Sequence, residues 1–127
     1  MNRMRVYISG KKGERIISKA TREKFAKAEE LLKAKGYEVV NPAREDYQEK
    51  MWEWLDRLST STLSVGLPYD ETTEILWHDL QEEKLCAAIY MLPDWIDSKG
   101  ARVEHSFAVA TDMIIWYEDE QQKSYMQ

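Results

Sequence analysis

Apolar side chains recur along this chain in short blocks whose spacing switches between that of strands and that of helices. Val6-Tyr7-Ile8 is a β-branched and aromatic run closed by Ser9-Gly10, which predicts a strand entering a loop. Residues 10–18, with Lys11, Lys12, Gly13 and Arg15, have no period and predict a flexible loop. Over 21–35, Phe25, Ala28, Leu31 and Leu32 recur at helical spacing, with Gly36 as the stop. Residues 37–40 predict a second strand, ended by Asn41-Pro42 because proline has no N–H to give a ladder.

A helix is predicted over 47–58, with Met51, Trp54, Leu55 and Leu58 on one side, and a Ser-, Thr-, Gly- and Pro-containing loop over 59–70. Residues 71–84 are again helical, Ile75, Leu76 and Leu80 facing inward. Residues 86–92 are apolar throughout, as expected of a strand covered on both faces of a parallel sheet. After a loop over 93–99, Gly100-Ala101 opens a helix carrying Val103, Phe107 and Ala110. Met113 to Tyr117 forms a last strand, and the polar tail from Glu118 to Gln127 is expected to fray.

Strands alternating with helices predict an α/β three-layer sandwich: a four-stranded, mostly parallel sheet of flavodoxin-like or Rossmann-like type, order 2-1-3-4. A single domain spans 1–127, with no internal repeat. Ligands of such sheets bind beyond the carboxyl ends of the strands, so the loops after Ile8, Val40 and Leu92 should converge on the site.

Composition narrows the function classes. At 127 residues there is room for one core, and 43% hydrophobic with 32% charged residues is the balance of a soluble globular protein. A net charge of −5 opposes a nucleic-acid polymer as partner, since phosphates need a basic face, but leaves room for a small anionic ligand. The one cysteine, Cys86, has no internal partner and reads as a buried thiol. No run approaches the ~18 apolar residues of a membrane span, and no signal-peptide core follows Met1, so no membrane partner and a cytoplasmic location are expected. Of the five tryptophans, Trp52, Trp54 and Trp77 are candidates either for a subunit contact or for the core.

Gly10-Lys11-Lys12-Gly13 is neither a Walker A loop nor a GxGxxG fingerprint. His78-Asp79 has the form of a metal-binding HD pair, but His105 is the only other histidine, so neither a metal nor another cofactor is expected. The informative segment runs from Leu92-Pro93 through Ser98-Lys99-Gly100-Ala101 to Glu104-His105, a strand-to-helix passage. Glu104 falls in or just after the first helical turn, with Ala101 and Ala108 at i−3 and i+4 leaving space for a ligand. The positive helix end would keep it ionised. On periodicity alone a dipole role, worth about 0.3–1 kcal/mol, is the stronger reading of that glutamate. Asp97 and Ser98 read equally well as helix N-caps, Asp79 as a solvated helix residue and Tyr7 as a packed aromatic.

A family resemblance shifts that balance. Val6-Tyr7-Ile8-Ser9-Gly10, Phe25-Ala26-Lys27-Ala28-Glu29, Gly36-Tyr37-Glu38-Val39-Val40-Asn41-Pro42 and the stretch from Ala88 to His105 resemble a small domain-of-unknown-function group (DUF4406) allied to the nucleoside 2-deoxyribosyltransferases. The resemblance covers about residues 4–117. It implies that Glu104 attacks the anomeric carbon of a sugar, that Tyr7 orients it, and that Asp79, in His78-Asp79-Leu80, contacts or protonates the base. It further implies that Asp97 or Ser98, with Ser9, Gly10 and Gly100, surrounds the sugar and any 5′-phosphate, which Lys11, Lys12 or Arg15 could hold. A homo-oligomer is implied as well. The chain departs from its relatives at Ala87, where an aspartate is usual, at Lys11-Lys12, and in a longer segment over 59–70.

The expected function is therefore an N-glycosidic bond enzyme, deoxyribosyl transferase or hydrolase, acting on a nucleoside or nucleoside 5′-monophosphate. The alternative is a non-catalytic module binding a nucleotide or nucleotide sugar. Contact between Tyr7 and Glu104 in an open pocket favours the first; Glu104 turned outward onto Arg102 or Lys99 opposes it.

Overall fold

In the computed structural model, which describes residues 3–13 and 15–119, the β-branched and aromatic runs pair into one parallel sheet. Its strands are β1 (Arg5–Ser9), β2 (Glu38–Val40), β3 (Ala88–Met91) and β4 (Ile114–Tyr117), in the order β2-β1-β3-β4. Val6 lies opposite Val39 and Ala88, and Ile89 opposite Ile115. Every pairing is parallel, where a mostly parallel sheet was expected.

The helices are α1 (Lys19–Ala34), α2 (Glu45–Ser64), α3 (Glu71–Glu83) and α4 (Lys99–Ala110), and a short 3-10 turn, Trp95–Asp97, precedes α4. Strand alternation sorts the core into two clusters. Val6, Ile8, Ala88, Tyr90 and Leu92 pack with Phe25, Ala28 and Leu32 of α1 on one face. Tyr7, Ile89, Met91 and Tyr117 pack with Ala101 and Ala108 of α4 on the other. Two clusters separated by a sheet make the three layers.

Several expectations need correction. The helix predicted to end at 58 continues to Ser64, so half of the loop expected over 59–70 is helical. The helix accommodates its small polar side chains: Ser59 and Thr60 donate to the Asp56 carbonyl and Ser61 to that of Arg57, so their hydroxyls are satisfied within it. In α1 it is Glu29 that turns inward, while Leu31 is exposed. Glu29 takes hydrogen bonds from Asn41 and Arg44 and an ion pair from Lys33, which ties α1 to the end of β2. Ala87 is exposed, so the buried strand is shorter than the apolar run. Cys86 is a buried free thiol, pushed up to about 12 by that burial.

On α4 the apolar residues of the sequence pattern do not mark the buried face. Val103 and Ala110 are exposed, and the face against the sheet carries Ala101, Glu104, His105 and Ala108. Of the tail, Glu118 and Asp119 are described; the remainder lies outside the described residues. Among the described residues no helix is long and apolar enough to cross a membrane.

Candidate active site

The carboxyl ends of β1 and β3 approach each other closely. A Cβ on Gly10 would stand 2.7 Å from Leu92 Cδ1 and 2.9 Å from Leu92 Cβ, so only glycine fits where β1 opens into its loop. That loop is then fastened to the one after β3. The Lys11 N–H donates to Asp94 Oδ1 at 3.0 Å, and Lys24 of α1 pairs with Asp94 while also donating to the Lys11 carbonyl.

Beside this junction, Tyr7 and Ser9 point from β1 to the α4 face. Glu104 meets them there. The Tyr7 hydroxyl donates to Oε2 at 2.7 Å and the Ser9 hydroxyl to Oε1 at 2.6 Å, and all three residues are buried. Glu104 is the sixth residue of α4 and belongs to its second turn, beyond the first turn where the positive helix end acts most strongly. Burial, then the nearby charge of Asp79, raise its pKa to about 7, against the opposing pull of Lys12, Ser9 and Tyr7.

Asp79 comes from α3, which turns carboxylates rather than its apolar residues to the interior: Asp79 and Glu83 are buried, while Ile75, Leu76 and Leu80 are half-buried. Its Oδ2 accepts from Lys12 Nζ at 2.8 Å and its Oδ1 from the Tyr47 hydroxyl at 2.7 Å. His78 Nδ1 stands 3.5 Å from Oδ1. Burial alone would raise the Asp79 pKa, but Lys12 and these hydrogen bonds win and hold it below the ordinary value. Asp79 as found is thus an acceptor with no proton to give near neutrality. Lys12 is affected reciprocally: burial would lower its pKa, and Asp79 and Glu104 raise it.

One turn on, Glu83 is fully buried, and neither of its oxygens has a hydrogen-bond partner among the described residues. Burial first, and then the charges of Glu104 and Asp79, push its pKa to about 9, which keeps it a neutral acid at pH 7.

Glu104 and Asp79 both line an open cavity of about 520 Å³. Around it stand Gly10, Lys11, Lys12 and Arg15 from the first loop and Asp97, Ser98 and Gly100 at the start of α4. Ser98 also caps α4, accepting the Ala101 N–H at 3.1 Å. Ile17, Met51, Trp52, Ile75 and Leu76 form an apolar wall. The Arg15 guanidinium lies 4.4 Å from the centre of the Trp52 ring and forms two hydrogen bonds with Glu71.

The residues singled out from sequence are therefore brought together, with differences in placement. Ser9, expected beside the substrate, is 1% exposed and spends its hydroxyl on Glu104. Trp52 faces the cavity, Trp54 packs 5.5 Å from His78, and Trp77 is the exposed one of the three. His105 stacks on Trp95 at 4.2 Å and bonds Tyr117 at 2.7 Å, and burial lowers its pKa, so it is a packed core histidine. Among the described residues no cluster of histidine, cysteine or acidic side chains could hold a metal ion. Tyr47 and Glu83 were not singled out. For Glu83 a signal existed, since it lies four residues after Asp79 on the same helical face; for Tyr47, at a helix start, there was none.

A wholly parallel α/β sheet with buried carboxylates at its carboxyl edge defines the class of protein. Over residues 4–117 the chain matches the family described as Domain of unknown function (DUF4406), and it belongs to that family. No match was found among the curated proteins or among the solved structures.

Proposed function

We propose that this protein cleaves the N-glycosidic bond of a nucleoside or nucleoside 5′-monophosphate, with Glu104 as the nucleophile. The observation that carries the reading is the Glu104 carboxylate itself, buried, gripped by the Tyr7 and Ser9 hydroxyls and bordering an open cavity. Two donors fix both oxygens, so the carboxylate is oriented before a ligand arrives. A carboxylate removed from water is a stronger nucleophile than an exposed one, and its charge stabilises the oxocarbenium-like transition state of glycoside cleavage. Attack on the anomeric carbon gives a glycosyl-enzyme, which water or a second base resolves. Tyr7 positions the nucleophile.

The mixed walls support the choice of substrate. The apolar side with Trp52 suits a flat heterocycle, and Lys11, Arg15, Ser98 and Gly100 suit a sugar and its 5′-phosphate. A homo-oligomer belongs to the same reading, and exposed Trp77 is a candidate for its contact. The test is incubation with a panel of deoxynucleosides and their monophosphates while free base is measured. Release that Glu104→Ala abolishes, in a variant that still folds, supports the reading; equal release by the variant sinks it. Saturable ligand binding, followed by tryptophan fluorescence, with no release by the wild type identifies a binding module instead.

A further inference from the structure

A base leaving a sugar takes the electron pair of the broken bond, and a proton or hydrogen-bond donor beside it eases departure. The family resemblance points to Asp79 for this task, but both Asp79 oxygens are engaged as acceptors, by Lys12 at 2.8 Å and Tyr47 at 2.7 Å. The proton at that position sits on Lys12. Its side chain is only 17% exposed, yet it lines the cavity together with Asp79 and Glu104. Among the described residues Asp79 is its one hydrogen-bond partner, and an ammonium carries three donors, so N–H groups remain for a ligand. The loop that carries it is fixed on its N-terminal side by the Gly10–Leu92 approach and by the Lys11 bonds to Asp94 and Lys24.

We propose that Lys12 is a further catalytic residue, its ammonium anchored by Asp79 and donating to the departing base. This rests on the glycosidic reading above. In the step, a Glu104 oxygen forms the bond to the anomeric carbon and the carbon–nitrogen bond breaks. The electron pair passes to the base, Nζ supplies the base's proton, and the amine regains one from solvent. Asp79, backed by Tyr47, holds the ammonium in place rather than giving a proton itself.

The test compares two substrates on wild type, Lys12→Met, Lys12→Arg and Glu104→Ala. One is the best natural substrate of the panel; the other is its analogue whose base departs without a proton, N7-methylated for a purine or 5-nitro for a pyrimidine. Lys12→Met is expected to lose roughly 10²–10⁴-fold on the natural substrate, the usual worth of a general acid, and far less on the analogue. Lys12→Arg should retain part of the rate, and Glu104→Ala should lose both substrates. Equal losses of Lys12→Met on both substrates, or no loss on either, overturn the role of Lys12 while leaving that of Glu104 standing. Should Lys12→Met fail to fold, the same ratio is read from Lys12→Arg, where an unchanged ratio overturns the role. Absence of release by the wild type overturns the glycosidic reading and this role with it.

Discussion

Tyr7 and Glu104 are 97 positions apart in the chain, and the hydroxyl of the first meets Oε2 of the second at 2.7 Å. Tyr7 is fully buried and Glu104 meets solvent only at the cavity, so the contact exists only because β1 and α4 are already docked. Each hydroxyl on Glu104 stabilises its charged form; burial and the charge of Asp79 oppose that. The balance is a carboxylate that titrates near neutrality, where small changes in its surroundings alter how much of it is ionised.

The first prediction follows from that balance. If Glu104 acts ionised, base release should rise with pH through about 7 and then level off. Tyr7→Phe removes a donor to the charged form, so the rising limb should move to higher pH, and Ser9→Ala should move it the same way. The pH dependence of initial rates checks the limb, and carbon NMR of labelled glutamate checks the titration without relying on turnover. A limb that falls across the same range would instead mean that Glu104 acts protonated.

Most of the fold was legible because two periods coexist in the chain. The runs at Val6-Tyr7-Ile8 and Cys86 to Leu92 read as strands from their shortness and their β-branched and aromatic residues, and the helical blocks between them called for crossovers. The site was legible only in part. The place of Glu104 after a strand, with Ala101 and Ala108 around it, made it plausible, and the family resemblance singled it out; the apolar residues Val103 and Ala110 of α4 lie about one-third of a turn away from it. In α3 the interior face is held by Asp79 and Glu83, against every hydrophobicity rule, because Lys12 and Tyr47 arrive from distant segments to meet the first of them. A sequence does not display such partnerships, since each needs the tertiary fold before it exists.

Gly10 is predicted to resist substitution for steric reasons rather than for backbone conformation. Gly10→Ala forces a methyl into Leu92, 0% exposed, at 2.7 Å, and overpacking of this kind costs typically about 1–3 kcal/mol. Pairing it with Leu92→Ala should recover part of the loss, because the new methyl then enters space the leucine vacates. Chemical unfolding of the two single variants and the double variant measures the coupling. Strictly additive losses would show that the close approach is not the cause.

Ser98 lines the cavity and caps α4, and the two roles separate experimentally. Ser98→Ala should lower stability by about 1 kcal/mol through the lost cap, whereas Ser98→Asp keeps a cap acceptor and should retain most of it. The added charge faces the cavity, so Ser98→Asp should weaken binding of a nucleoside monophosphate more than that of the matching nucleoside. Thermal unfolding checks the first effect and ligand titration the second. Equal weakening for both ligands would place the phosphate elsewhere.

Glu83 is expected to make stability depend on pH in a way no catalytic assay would show. Its pKa is raised to about 9 in the folded protein, while an unfolded glutamate titrates near 4.3. The folded state therefore holds the proton more tightly. The stability this contributes is fully present below the unfolded pKa and is lost as pH rises through the window up to about 9. Between those limits the wild type must take up a proton in order to fold, at a cost of a few kcal/mol by alkaline pH, since each tenfold change in proton affinity is worth about 1.36 kcal/mol. Glu83→Gln has no proton to take up. The amide adds its own pH-independent cost of burial, so the informative quantity is the difference in Tm between variant and wild type. That difference should move in favour of the variant from pH 5 to pH 8.5. A difference that stays flat across this range would mean that Glu83 is buried as a charge, with a partner able to neutralise it.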